Sequence, residues 1–260
     1  MNGRDIMIYL SLKYEGDWEK MVDAVKRREQ VSEEEALEKI GKIKSQVVTI
    51  LDSTYPESFK HCYKPPMVLY YYGNLSLLEK EKDCVAYIGS REASPYGLRM
   101  AMELSAYMAE RDYVVVSGLA RGIDAMATRG CLDKHGKAVA FLGSGIDLCY
   151  PSSSNVLYER LKKEGLIISE YPGSLPPKPE NFPKRNRMVA ASSHGIIVGE
   201  ASKKSGTLIT VAYALGLTKE IGCLPFPADQ KSACNTLIKE GAYLIESGED
   251  IDLMMGKTTS

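Results

Sequence analysis

The chain has 260 residues, of which 44% are apolar, enough to bury one large core or a large and a small one. Its 33 Lys and Arg nearly balance 34 Asp and Glu, so charge is informative only where it concentrates. No stretch approaches 18 uninterrupted apolar residues and the first residues lack a basic start followed by an apolar run, which excludes a helical membrane span and predicts no signal peptide.

Up to about residue 80 the chain is charge-dense and aromatic. Ser32 followed by Glu35 reads as a capping box, and Ala36, Leu37 and Ile40 give a short helix its apolar face. VVTIL (47–51) and MVLYYYG (67–73) read as strands or extended arms, separated by Pro56 and Pro65-Pro66. The prediction for residues 1–80 is a small, mainly helical accessory region with an extended arm.

From Lys82 the pattern becomes regular. Apolar runs recur at CVAYI (84–88), YVVVS (113–117), AVAFL (138–142), LIIS (166–169), GIIVG (195–199) and EIGCLP (220–225), mostly with helix-like segments between them. Near-continuous apolar strands alternating with helices predict an α/β fold, a parallel sheet covered on both faces, over residues 81–255, with a tail at 256–260. The six cysteines (Cys62, Cys84, Cys131, Cys149, Cys223, Cys234) are scattered without a C-x-x-C pair. They read as reduced core residues of a cytoplasmic protein rather than disulfide partners or zinc ligands.

In such sheets ligands sit at the carboxyl ends of the strands. The loops there share one chemistry: Gly89-Ser90-Arg91, then Ser117-Gly118 leading to Arg121 and Asp124, then Gly143-Ser144-Gly145, then Glu200 to Thr207 with Lys203, Lys204, Ser205 and Gly206. Glycine lets backbone approach a ligand, Ser and Thr add hydroxyls at helix starts, and Arg and Lys add charge. From Lys178 to Thr210 six cations face only Glu180 and Glu200, and Phe182 lies in that polar setting. The combination predicts an anion site, with phosphate as the anion. Competing readings stay open residue by residue. Each loop alone is an ordinary strand-to-helix turn, Arg91 can pair with a surface carboxylate, Arg121 can pair with Asp124, Phe182 can be core, and Arg187 can be buried against Glu200 or Asp124.

Enzyme signatures fail. Gly143-Ser144-Gly145 lacks the third glycine of a dinucleotide fingerprint, and neither a G-x-x-x-x-G-K-[ST] loop nor a G-x-S-x-G elbow occurs. His61, His135 and His194 sit in no metal or triad spacing. The chain reads as a binder without catalytic residues, metal or cofactor.

GSREASPYG (89–97), SGLARGIDAMA (117–127), GSGIDLCYP (143–151), SEYPG (169–173), NFPKRNRMVAASS (181–193) and EASKKSGTLIT (200–210) closely resemble the DprA/Smf DNA-processing proteins. The likeness continues in TILDSTYPESF (49–59), PPMVLYYYGNLSLL (65–78) and NTLIKEGAYLIESGEDI (235–251), about 200 residues in family order. The resemblance implies an extended Rossmann-like fold and a non-enzymatic protein that binds single-stranded DNA with little sequence preference. It also implies protection of incoming strands during natural transformation, help in loading a RecA-type recombinase, a homodimer and no small-molecule cofactor. Carried over by motif, Arg91 contacts phosphate, Phe182 stacks on a base with Arg185 and Arg187 nearby, and Lys204 lies at the matching helix start. Together with the loops, the predicted DNA-binding set is Gly89, Ser90, Arg91, Ser117, Gly118, Arg121, Lys178, Asn181, Phe182, Arg185, Asn186, Arg187, Lys204, Ser205, Gly206 and Thr207.

The chain departs from the family pattern in places. Leu224-Pro225-Phe226-Pro227 stands where members often carry V-P-G, Ala233 precedes Cys234-Asn235 where a glycine is common, and Ser152 to Ser154 stand where some members are basic. The chain stops at Ser260, about ten residues past the last motif, which predicts no C-terminal winged-helix-like domain. Leu237, Ile238, Tyr243 and Leu244 suit either a dimer seam on the C-terminal side or a cover for the last strand. The alternative function is a nucleotide-processing Rossmann enzyme such as a nucleoside-monophosphate phosphoribohydrolase. That class shows P-G-G-x-G-T where this chain has Glu200-Ala201-Ser202-Lys203-Lys204-Ser205-Gly206-Thr207.

Overall fold

The structure, a computed structural model, describes residues 1–257, so Thr258 to Ser260 of the expected tail lie outside the described residues. Three helices come first: α1 (Gly3–Lys13), α2 (Trp18–Lys26) and α3 (Glu33–Ile40). Side chains satisfy their first free N–H groups, Asn2, Asp17 and Ser32 each accepting from the third residue of the helix. At α3 the expected capping box is half made. Ser32 Oγ accepts from Glu35 N at 3.4 Å, but the Glu35 carboxylate turns to Lys39 at 2.7 Å, one turn on. A full box forms at α1, where Asn2 and Asp5 cap each other.

Two strands follow, β1 (Gln46–Thr49) and β2 (Val68–Gly73), and then the α/β alternation. It runs β3 (Cys84–Gly89), α4 (Pro95–Glu110), β4 (Val114–Ser117), α5 (Ile123–Asp133), β5 (Lys137–Phe141), α6 (Asn155–Glu164) and β6 (Leu166–Ser169). It continues with α7 (Asn181–Ala191), β7 (Gly195–Glu200), α8 (Thr207–Gly216), β8 (Glu220–Cys223), α9 (Ala233–Lys239), β9 (Tyr243–Leu244) and α10 (Gly248–Met254). The nine strands of the described residues form one sheet in the order β1-β2-β6-β5-β4-β3-β7-β8-β9, parallel from β6 to β9, with β1 and β2 antiparallel at one edge. The mixed α/β, Rossmann-like architecture therefore stands as the sequence predicts. The two-residue β9 carries no periodic signal and is not legible in the sequence.

Strand side chains alternate between two cores, as a pleated sheet requires. On β3, Val85 and Tyr87 pack with α4, α5 and α6, whereas Cys84, Ala86 and Ile88 pack with α7, α8 and α9. Five of the six free cysteines are buried within these cores and Cys149 is half-buried. The division expected at residue 80 runs through the sheet, because β2 pairs with β6 from Tyr70↔Ser169 to Gly73↔Leu166. Residues 46–73 extend the sheet, and α1 to α3 pack against it, Ile8, Tyr9, Leu10, Met21, Ala24 and Ala36 sharing one core with Val68, Tyr70 and Val85.

The strand order reverses between β3 and β7, which lie side by side while their next strands depart in opposite directions. A crevice opens at the carboxyl ends of strands at such a switch point, because the helices that follow leave toward opposite faces. Here Gly89 pairs with Glu200 across a register shift.

Candidate functional site

An open groove of about 750 Å³ lies over this switch point. Gly89, Ser90 and Arg91 form one wall, Gly118, Ala120 and Arg121 the next, Phe182, Pro183, Arg185 and Asn186 the third, and Ser205, Gly206 and Thr207 the fourth. Chain segments far apart in sequence supply all four.

Two buried or half-buried carboxylates hold the loops in place. Asp124, in the first turn of α5, accepts from Gly118 N at 2.9 Å and Gly89 N at 3.3 Å, tying the first two loops together. Burial pushes its pKa above the usual carboxylate value, and Arg185 and the backbone donors work against that rise. Glu200, at the end of β7, accepts from Ser94 N at 2.9 Å and Ser94 Oγ at 2.7 Å, which fixes the start of α4. Its carbonyl takes Ser90 N at 2.8 Å. Asp124 thus braces backbone and is not the partner of Arg121.

The cations of the groove are unneutralised. Among the described residues, none of Arg91, Arg121 and Arg185, nor Lys204 just beyond the rim, has a carboxylate within 4.0 Å. Arg91, Arg121 and Lys204 are exposed. Arg185 is buried, with Nη1 bound to the carbonyls of Gly118 at 2.8 Å and of Phe141, and Nε to Asn186 Oδ1 at 3.1 Å. Burial pulls its pKa down to about 10, Asp124 supports the charge through space, and Arg91 opposes it. The guanidinium therefore stays charged at neutral pH, held on the groove floor by carbonyl dipoles. Gly118 is required here, since a Cβ would lie 2.7 Å from the Arg185 Cζ.

α8 opens onto the groove through Gly206, with no side chain capping its first N–H groups apart from Ser205 Oγ on Thr207 N at 3.2 Å. A Cβ at Gly206 would meet nothing within 4 Å, so this helix start faces open space. The first N–H groups of α8 turn back onto Ser205 and Gly206, Leu208 N to Ser205 O and Ile209 N to Gly206 O at 3.1 Å each, so what this open end offers an anion is the helix dipole.

Phe182 is half-buried. The Arg91 guanidinium lies 5.3 Å from its ring centroid and the Tyr150 ring 5.7 Å away, tilted by 42°. Tyr150 follows the third post-strand loop and is not among the residues the sequence singles out; its only signal is its place in that loop, GSGIDLCYP. The Pro151 to Ser154 turn beside it exposes Ser152 and Ser153, while Ser154 Oγ bonds to Leu119 O at 3.3 Å.

Five predicted residues lie outside this groove. Ser117 is fully buried, its hydroxyl 3.0 Å from Thr128 Oγ1. Asn181 is buried and donates to Gly143 O at 3.2 Å. Lys204 stands just beyond the rim, next to Ser205. Lys178 pairs with Glu15 at 3.0 Å and lines a smaller cavity of about 140 Å³ near α2. Arg187 departs most clearly from the expected placement in the groove. It is buried on the opposite side of α7, its guanidinium gripped by Glu170 at 2.6 and 2.7 Å and by the carbonyls of Tyr63, Lys64 and Lys184. Burial alone would lower its pKa, and the Glu170 charge and hydrogen bonds more than offset that, so it is raised. Its partner is Glu170, neither Glu200 nor Asp124.

On the C-terminal side Leu237, Ile238 and Tyr243 are half-buried against the cores, whereas Leu215, Leu244 and Leu253 are exposed. Asn235 braces the departing Phe226 segment with two hydrogen bonds, from Phe226 N at 2.9 Å and to Phe226 O at 2.8 Å. Among the described residues no group of three or more His, Cys, Asp or Glu side chains is placed to hold a metal, and no helix is long and apolar enough to cross a membrane.

The profile of the DNA recombination-mediator protein A family matches residues 46–255. The chain is 39% identical to the DNA processing protein DprA of Streptococcus pneumoniae, over 78% of this chain and 72% of that protein. It is 36% identical to the protein Smf of Synechocystis, over 93% of this chain and 62% of that protein, and so spans under two thirds of the latter's length. The X-ray structure of the S. pneumoniae DNA processing protein A superposes with a TM-score of 0.79 at 31% identity, covering 95% of this chain and 92% of that one. The Helicobacter pylori DNA processing protein A, solved for its single-stranded DNA binding mode, superposes with a TM-score of 0.74 at 28% identity, covering 83% and 99%.

Proposed function

The chain belongs to the DNA recombination-mediator protein A family, and on that premise we propose that it binds single-stranded DNA in the switch-point groove without catalysing a reaction. The observation that carries the reading is the floor of the groove. A buried arginine, Arg185, is held there by carbonyls with no carboxylate in contact, beneath exposed Arg91 and Arg121 and beside an open helix start. A buried cation without an ion pair is costly, and a polyanion laid over it removes the cost. An aromatic pair in the same groove offers a face for bases, which suits a strand whose bases are free.

The nucleotide-processing alternative needs a carboxylate free to act on a sugar or phosphate. Asp124 is committed to two backbone N–H groups and Glu200 to Ser94, which leaves the exposed Glu92 as the carboxylate of the groove rim that such a reaction would have to use. The family resemblance adds the finer expectations: protection of incoming strands in transformation, delivery to a RecA-type recombinase, action in the cytoplasm, and a homodimer through the C-terminal side. Exposed Leu215, Leu244 and Leu253 support that dimer surface. A dimer would join two grooves and raise affinity through avidity.

The test is a fluorescence titration of labelled single- and double-stranded oligonucleotides at two salt concentrations. Preference for the single strand, with affinity falling steeply as salt rises, supports the reading. Equal affinity for both, or release of free base from nucleoside monophosphates, overturns it.

A further inference from the structure

We propose that the face on which a base stacks belongs to Tyr150, with Phe182 serving as its brace rather than as the platform. This rests on the single-stranded DNA reading above and assigns a further binding residue within it.

Phe182 already has protein on part of its ring. Its ring lies against the Gly143 backbone so closely that a Cβ there would come within 2.8 Å of Cδ1, and the Arg91 guanidinium lies 5.3 Å from its centroid. A base stacked on Phe182 would have to displace Arg91, giving up one cation–π contact to gain a stack of similar size. Tyr150 is 45% exposed within the same groove and touches Phe182 at a 42° tilt, which leaves ring surface free toward the ligand.

The loop that carries Tyr150 is stiff. Ser144 Oγ donates to Leu148 O at 2.9 Å, Gly145 N to Leu175 O at 2.9 Å and Asp147 N to Gly173 O at 2.8 Å. The Asp147 carboxylate also accepts from Tyr72 Oη at 2.6 Å. A platform fixed in this way loses little freedom when a base settles on it. Arg91 has a use in this arrangement that needs no rearrangement: its flat face stays on Phe182 while its N–H edges reach a phosphate. Tyr150, Phe182 and Arg91 then form one unit in which the outermost ring meets the base.

The full chain would be photocrosslinked to an oligothymidylate carrying 5-iodouracil, which couples to the aromatic side chain it stacks on, and the site mapped by mass spectrometry. Oligonucleotide titrations and thermal melts of Tyr150→Leu, Tyr150→Phe and Phe182→Leu accompany it. The expected results are a crosslink at Tyr150 and an affinity about tenfold weaker in Tyr150→Leu with an unchanged melting temperature. Tyr150→Phe, which keeps the ring, should recover most of that loss, and Phe182→Leu should lower the melting temperature. Wild-type affinity in Tyr150→Leu overturns the proposal wherever the crosslink falls, as does a crosslink at Phe182 alone. Failure of the wild-type chain to bind the oligonucleotide overturns the DNA reading itself and this assignment with it.

Discussion

Arg185 and Arg187 sit two residues apart on α7, yet they occupy regions with opposite chemistry. On the groove side, Arg185 is held only by carbonyls and the Asn186 amide, and the exposed Arg91 and Arg121 nearby are equally free of carboxylate contacts. On the far flank, Arg187 closes a bidentate pair with Glu170, and Lys64 and Lys178 are likewise paired, with Glu19 and Glu15. Both regions are rich in cations, but only one leaves them unneutralised. A count of basic residues in the sequence does not separate the two, whereas the partner of each cation does.

The largest effect is expected where a sealed charge is opened. Arg187→Ala leaves Glu170 buried without its partner, and removing one member of a buried pair costs about 3–5 kcal/mol. A denaturant melt should show that loss, while the folded fraction at low temperature still binds oligonucleotide with near wild-type affinity. A large drop in affinity per folded molecule would break the division between the two sides of α7.

Asp252 sharpens the comparison from the C-terminal end. It is fully buried and accepts from Tyr113 and Tyr107 hydroxyls at 2.7 Å and from Arg111 at 2.8 Å, pinning α10 to α4 and β4. Burial alone would raise its pKa, but these donors outweigh that and hold it below its ordinary value. A carboxylate depressed in the folded state adds stability above its unfolded pKa, near 4, and loses it as pH falls through the lower folded value. Asp252→Asn should therefore cost about 2–3 kcal/mol at pH 7 and lessen the fall in stability below about pH 4, read from melts across pH. A variant that loses stability equally at every pH would remove the ionised carboxylate from the account.

The open cations should behave in the reverse manner. Arg91→Ala or Arg121→Ala should change stability by no more than about 0.5 kcal/mol, because each is exposed and lacks an ion pair. Each should weaken single-strand binding by about 1.4 kcal/mol, or tenfold, and flatten the slope of log affinity against log salt by about 0.7 for each phosphate left without its cation. Unchanged salt slopes in both variants would take the anion out of the groove.

Much of the fold is legible in the sequence, because buried parallel strands announce themselves as apolar runs and their following loops concentrate Gly, Ser and Arg. The antiparallel strands at 46–73 read as strands or arms, but the pairing of β2 with β6 depends on partners about a hundred residues away, which no local pattern encodes. The site is half legible. Arg91 and Phe182 do meet in one groove with Ser205 to Thr207. Treating NFPKRNR as one basic patch misplaces Arg187, because positions two apart on a helix point to opposite sides, so Arg185 and Arg187 cannot face one groove together. Tyr150 escapes a sequence reading because its role depends on the ring beside it and on a loop stiffened by distant carbonyls.

The smallest effect tests the border between the two regions. Lys178 lies just before α7 in a basic stretch, where the sequence places it among the DNA contacts, but it reaches away from the groove to Glu15 at 3.0 Å. Both side chains are about half exposed, and such a pair contributes no more than about 1 kcal/mol. Lys178→Ala should therefore leave stability within about 0.5 kcal/mol, affinity within about twofold and the salt slope unchanged. A strand that ran past Pro179 and Pro183 onto the flank would instead draw Lys178 off Glu15. In that case Lys178→Ala would lower the salt slope by about 0.7, the change expected of Arg91→Ala. Glu15→Ala would then raise affinity by freeing the same cation, so the pair of variants decides whether the open region ends at α7 or continues over it.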